Sequence, residues 1–189
     1  IISPKLEEAL QRNEPLERPI LLDPDTMDKL QERVLADMAR LGHAYYNREH
    51  VESVMEQAAE LARAAELDPV SAQLLLIAAL FHDYGHAGNT YRQLVPSVER
   101  EDLSNEEFAA MKADELVGDE LSLQQRVMLQ GLILATSFAQ SNPDALPKDI
   151  RADAYRTYHP ETTLEKLLAF ADISGGLADF AYFDAENVA

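Results

Sequence analysis

Eight consecutive apolar residues, Leu74 to Phe81, run directly into His82-Asp83-Tyr84-Gly85-His86. This junction constrains the fold more than any other part of the chain. A helix that is apolar on nearly all sides has no solvent face, so it belongs in the middle of a core. Here such a helix ends in two imidazoles and a carboxylate. Burying those groups together is costly unless they are paired, hydrogen-bonded or bound to a metal. The run is also far shorter than the ~20 residues needed to span a bilayer. On a helix, residues i and i+4 share a face, which would let His82 and His86 look into one cavity. Asp83 would then point about 100° away, yet a neighbouring His-Asp pair can still reach one ion from a helix end.

The rest of the chain is helical in pattern. Almost no period-2 alternation is present, and segments of 3.6-type periodicity follow one another. Asp23-Pro24 and Asp68-Pro69 each read as an N-cap followed by proline at the first helical position. Ser104 with Glu107, Ser122 with Gln125, and Thr162 with Glu165 have capping-box spacing. These signals predict helices near 4–12, 24–41, 48–66, 69–84, 104–117, 122–138 and 163–180. Two long connections, about 87–103 and 140–160, are expected to be functional rims. Residues 1–22, with Pro4, Pro15 and Pro19, read as an N-terminal arm laid on one helical domain of residues 23–189.

Composition limits the chemistry. There is no cysteine, so disulfides, thiolate zinc sites and cysteine nucleophiles are excluded, and any metal must be held by the five His residues and carboxylates. The net charge is -18, which argues against nucleic-acid polymers and anionic membranes as partners. A small phosphorylated substrate stays compatible with that charge if a cation sits in the site. Most of the acid excess reads as a solvated helical surface. No signal peptide is visible, so a cytoplasmic location is the expectation. Oligomeric state is not readable.

Two further residues join the junction. Asn47 is a plausible N-cap for a helix whose apolar stripe is Val51, Val54, Met55, Ala58, Leu61, Ala62 and Ala65. His50 lies one turn before Val54, at the edge of that stripe. Downstream, Leu164, Leu167, Leu168, Ala171 and Gly175 form a stripe on which Asp172 also sits. A carboxylate among core positions needs a cation or several donors, and an Arg-paired structural Asp is the competing reading.

A His, a His-Asp dipeptide and a late Asp on three helices resemble the HD-domain superfamily of metal-dependent phosphohydrolases. The order reads here as His50, His82-Asp83 and Asp172. Several details are similar to the cyclic-nucleotide-phosphodiesterase-like branch: Tyr45-Tyr46-Asn47-Arg48-Glu49-His50, His82-Asp83-Tyr84-Gly85-His86-Ala87-Gly88, Ala171-Asp172-Ile173-Ser174, and the stretch Ile133 to Ser137. Three positions depart from that branch. Tyr46 stands where a His is thought to protonate the leaving group, Tyr91 where an Asn follows the second motif, and Ser137 where an Asp supports the waters of a second metal.

The resemblance implies an all-α, phosphodiesterase-like helical bundle with a metal site between core helices. It implies His50, His82, Asp83 and Asp172 as ligands of one or two divalent ions. Nitrogen and oxygen donors favour Mn, Fe, Zn or Mg without choosing among them. The implied activity is hydrolysis of a small phosphate ester, with a nucleotide as one candidate, by a metal-activated water. Asp83 is the natural bridging ligand, and His86 would orient a water or an Asp ligand. Leaving-group protonation falls to Tyr46, His86, His43 or bulk water. Arg48 and Arg92 flank the motifs and are candidates for phosphate contact or plain surface residues, and His159 reads as a loop residue. Two other functions compete. One is a catalytically weak HD-fold sensor or interaction module that binds metal or nucleotide. The other is a zinc peptidase, because His82 and His86 have zincin spacing with Asp83 in the place of the zincin Glu.

Overall fold

The computed structural model describes residues 3–12, 18–41, 48–85, 103, 105–137 and 160–186, with the side chains of the last helix through Ser174. The described residues are all-α and contain no strand. The helices are α1 (Pro4–Gln11), α2 (Pro24–Leu41), α3 (Arg48–Ala64), α4 (Pro69–Phe81), α5 (Asn105–Val117), α6 (Leu123–Leu134) and α7 (Thr163–Glu186), with a 3-10 turn at Gly118–Glu120. No helix among the described residues is long and apolar enough to cross a membrane.

The caps form as the spacing predicts. Asp68 accepts from the backbone of Val70 and Ser71, and Asp23 accepts from Thr26 N at 3.1 Å. Ser122 and Gln125 make a reciprocal capping box. Thr162 and Glu165 make another: Thr162 N donates to the Glu165 carboxylate at 2.8 Å and Glu165 N to the Thr162 hydroxyl at 3.2 Å. The Ser104–Glu107 box cannot be followed, since Ser104 lies outside the described residues.

α4 is the central strut. Leu74, Leu75, Ile77, Ala78, Ala79, Leu80 and Phe81 are all buried. α3 packs on α4 and along α7, while α5 and α6 pair and lean on α4. The stripe of α3 is buried as expected through Val51, Val54, Ala58 and Ala62, and Leu168 and Ala171 do the same for α7.

Three helices stop two or more residues short of the sequence expectation, each for a local reason, while α7 runs past residue 180 to Glu186. α3 stops at Ala64 because Glu66 takes a left-handed φ of 50°. Leu67 N then bonds Ala62 O and Glu66 N bonds Arg63 O, which is a Schellman closure. α6 stops at Leu134, where the Thr136 and Ser137 hydroxyls donate back to Ile133 O and Leu134 O. α4 ends at Phe81 and gives way to a turn over His82–Gly85, with Tyr84 N bonded to Phe81 O and Gly85 at φ +71°.

The N-terminal residues are tied to the bundle by specific contacts. Leu6 and Ala9 of α1 are fully buried. The Gln125 side chain bonds both backbone groups of Ile20, at 2.8 and 2.7 Å, and Gln73 does the same for Leu22, at 2.7 and 2.8 Å. Two glutamine side chains thus stand in for a neighbouring strand along an extended segment.

Candidate metal centre

His50 enters the site from the first turn of α3. It shares the buried stripe with Val54 and is only 2 % exposed. His82 and Asp83 enter from the turn after α4, and Asp172 from the face of α7 that also buries Leu168. Helix packing brings His50 and Asp172 together, and the turn after α4 adds His82 and Asp83. α3 touches both α4 and α7, so residues on their facing stripes must meet.

The donor atoms crowd together. His50 Nε2 and His82 Nε2 lie 3.3 Å apart. Asp83 Oδ2 is 3.1 Å from His50 Nε2 and 3.0 Å from His82 Nε2. Asp172 Oδ1 is 3.7 and 3.4 Å from the same two nitrogens. One donor from each of the four residues lies within 4.8 Å of every other. Four donors at zinc-like bond lengths of ~2.0–2.2 Å around a tetrahedral centre stand roughly 3.3–3.6 Å from each other. The spacings therefore suit a single ion.

The tautomer suits it too. His82 Nδ1 lies 2.7 Å from Ala79 O. A carbonyl only accepts, so Nδ1 carries the proton and Nε2 of the neutral ring presents its lone pair to the other donors. Histidines that bind metal are commonly oriented by such an outer hydrogen bond.

The protonation equilibria show what the cluster lacks. Burial pulls the His50 imidazole pKa down, but hydrogen bonds to Asp172 and Asp83 outweigh it and raise the pKa to about 9. Burial opposes the charge on His82 as well, and the negative charges of Asp83 and Asp172 still push it well above its ordinary value. Asp172 is held below the ordinary carboxylate value because His82 and His50 outweigh its own burial. Without a cation, the two carboxylates draw protons onto the imidazoles.

The turn geometry corrects one expectation. His82 and Asp83 lie on a turn and not on a continuous helix, because α4 ends at Phe81. Asp83 reaches the cluster because the chain turns there, and the predicted 100° divergence between His82 and Asp83 no longer applies. The zincin reading needs a helix through His82 to Gly85, and these four residues form a turn. Tyr46, His86, His43, Asn47, Tyr91, Arg92 and His159 lie outside the described residues. Arg48 is exposed and pairs with Glu52 of its own helix at 2.7 Å. Ser137 is buried, with its hydroxyl donated to Leu134 O at 2.8 Å.

Sequence reading missed a second buried polar cluster. Asp114 on α5 and Glu107, two turns earlier on the same face, are each 2 % exposed, not part of a solvated surface. Asp114 takes both arms of Arg126 from α6. No periodic signal marks this pair, because charged residues on helices are ordinarily placed on the outside.

The sequence model of one family, HD-CE, matches residues 25–187. The chain belongs to the HD-CE family. The match spans α2 through α7 and all four cluster residues, and leaves α1 and residues 18–23 outside. No curated protein and no solved structure matches the chain. HD-CE membership supports an HD-type domain here, and the His/Asp cluster is a group that could hold a metal ion.

Proposed function

We propose that this chain is a metal-dependent phosphohydrolase that cleaves a small phosphate ester, with a nucleotide among the candidates. The observation that carries the reading is the meeting of His50, His82, Asp83 and Asp172 donors within 4.8 Å in an HD-type domain. Two imidazole nitrogens and two carboxylate oxygens are a donor set for Mn, Fe, Zn or Mg, as one or two ions. When bound, such an ion lowers the pKa of a water and neutralises charge on a phosphoryl oxygen.

The protein's own contribution is orientation and charge. His50 and His82 are buried and would offer nitrogen donors to an ion that displaces their protons, with Ala79 O fixing the tautomer of His82. Asp83, at 3.0–3.1 Å from both imidazoles, would supply a carboxylate oxygen to the ion, and would bridge if a second ion bound. Asp172 completes the set from α7. His86 is proposed to orient a water or a carboxylate, and Tyr46 to stand near the leaving group. A phenol with an ordinary pKa near 10 is a weak acid for that task. The similarity to the cyclic-nucleotide-phosphodiesterase-like branch makes phosphodiesters a substrate class to try alongside monoesters. Nucleic-acid polymers and membranes are not proposed as partners.

A second reading is a catalytically weak sensor that binds metal or nucleotide. Ser137 favours it: a hydroxyl committed to the Leu134 carbonyl replaces a carboxylate. One experiment separates the two. The purified protein is analysed for metal, then assayed with p-nitrophenyl phosphate, bis-p-nitrophenyl phosphate and a nucleotide panel. Metal-dependent turnover supports the hydrolase. Stoichiometric metal with no turnover of any member leaves the sensor. Absence of bound metal after exposure to Mn, Fe, Zn and Mg sinks the hydrolase and the metal sensor, and nucleotide titration then decides whether a nucleotide sensor remains.

A further inference from the structure

The turn that carries His82 and Asp83 is gripped from two sides by residues that the chemistry above does not use. Tyr84, directly after Asp83, is half-buried, and its hydroxyl donates to Asp37 Oδ2 on α2 at 3.1 Å. Its ring leans on Phe81 with centroids 5.8 Å apart. Asp37 is held in turn by Arg40 of the same helix. On the other side stands Gly85. Its φ of +71° is strained for any residue with a Cβ, and a Cβ placed there would come within 2.8 Å of Phe108 Cε1. Phe108 is a buried residue of α5. So a conformational reason and a steric reason both require glycine two residues after Asp83.

This grip matters because α4 ends at Phe81. Beyond that point the helix no longer fixes the chain, yet a metal-binding carboxylate must be placed within about 0.5 Å to serve. We propose that Asp37, through Tyr84, and Phe108, through Gly85, are positioning residues for Asp83. They clamp the turn against α2 and α5 and so hold the Asp83 carboxylate against the His50, His82 and Asp172 donors. Neither Asp37 nor Phe108 belongs to the donor cluster. The inference rests on the metal-site reading for its consequence, but the clamp itself is testable without metal.

The test uses the full chain with Tyr84→Phe, Asp37→Leu, Asp37→Asn, Arg40→Ala and Phe108→Leu. Tyr84→Phe keeps the ring and removes one hydroxyl. Asp37→Asn keeps an acceptor for Tyr84, while Arg40→Ala removes the ion pair and leaves the Tyr84–Asp37 bond. Three quantities are read: Mn affinity by titration, amide hydrogen exchange over residues 82–85 in metal-free protein, and thermal stability. Tyr84→Phe, Asp37→Leu and Phe108→Leu are expected to weaken Mn binding about tenfold and to speed exchange at 82–85. Asp37→Asn and Arg40→Ala should stay within about twofold of wild type. Unchanged affinity and exchange in the first three variants would overturn the proposal. So would losses that track the melting temperature equally in Arg40→Ala. If wild-type protein binds no Mn, the metal reading fails for that ion, and exchange at 82–85 alone decides the clamp.

Discussion

Two buried polar clusters in this bundle are built on opposite terms. Between α5 and α6, Asp114 receives Arg126 Nε on Oδ1 at 2.7 Å and Arg126 Nη2 on Oδ2 at 2.9 Å, and Ser3 donates its hydroxyl to Oδ2. Gly118 makes room, since a Cβ there would lie 2.7 Å from Asp114 Oδ1 and 3.1 Å from Arg126 Nε. One acid meets one permanently charged base in a fork that matches a carboxylate. The cluster between α3, α4 and α7 gathers two acids onto two imidazoles, which are cations only when protonated. Its response is visible in the raised His50 and His82 and the lowered Asp172. An acid that brings its own guanidinium is complete. Two acids aimed at neutral nitrogens call for protons or for a metal cation.

The contrast can be broken at either end, and the largest effect belongs to the metal centre. His82→Ala should abolish metal binding, read by metal analysis of the purified variant. The Asp114 cluster should be indifferent to that change. Retention of wild-type stoichiometry and affinity in His82→Ala would mean the four donors are not a metal site. The converse is Asp114→Ala. It removes the carboxylate that two Arg126 nitrogens bind in a buried site and should cost about 3–5 kcal/mol of stability in urea unfolding. The fraction that still folds should bind metal as wild type does. A loss of metal affinity there would show that the two clusters are coupled through α5.

The pH dependence separates the clusters next. In metal-free protein the folded pKa of His50 is about 9, against 6.5 in the unfolded chain. Between those values the native state holds more protons, so stability falls as pH rises. The His50 contribution is fully present below pH 6.5 and is lost as pH climbs through about 9. Asp172 has the opposite sign. Its pKa is depressed below 3.8, so its contribution is present above that value and is lost as pH falls through the depressed pKa. Chelator-treated protein should therefore be most stable between these limits and melt at lower temperatures toward pH 9. Saturating metal should remove most of the alkaline decline, because the cation takes the place of the protons. A decline that is identical with and without metal would show that the titrating imidazoles are not the metal's ligands.

The same contrast explains what could be read from the sequence. Helix starts were readable because caps are local: Asp68, Ser122 and Thr162 bond residues two or three positions away. The metal candidates were readable because imidazole and carboxylate on apolar stripes violate the pattern around them. His50, His82 and Asp172 each stand at such a violation. The helix stop at Phe81 is not readable, since the apolar run before it carries no break and the Gly85 approach to Phe108 is a contact across the bundle. Asp114 and Arg126 were hidden for a different reason. α5 and α6 carry no strongly one-sided stripe, so a charge on them signals nothing until its partner on the other helix is known. The Gln73 and Gln125 contacts to residues 20 and 22 leave no trace either, because a side chain that bonds a backbone asks nothing of the sequence it bonds.

The smallest effect tests whether the paired cluster is purely structural. The Ser3 hydroxyl has two tasks. It accepts from Leu6 N at 3.3 Å as the N-cap of α1, and it donates to Asp114. Losing a cap costs about 1 kcal/mol, and a hydrogen bond to a charged group contributes roughly 1.5–3 kcal/mol. Arg126 still satisfies Asp114 when Ser3 is replaced, so Ser3→Ala should cost about 1–2 kcal/mol in urea unfolding, less than the two terms summed. In an Asp114→Ala background the same change should cost only the cap, about 0.5–1 kcal/mol. The difference between the two backgrounds is the coupling of α1 to the ion pair. Metal affinity should not move in either. An equal cost in both backgrounds would reduce Ser3 to a simple helix cap, and would leave the docking of the first helix to buried Leu6 and Ala9 with the exposed Lys5–Asp119 pair.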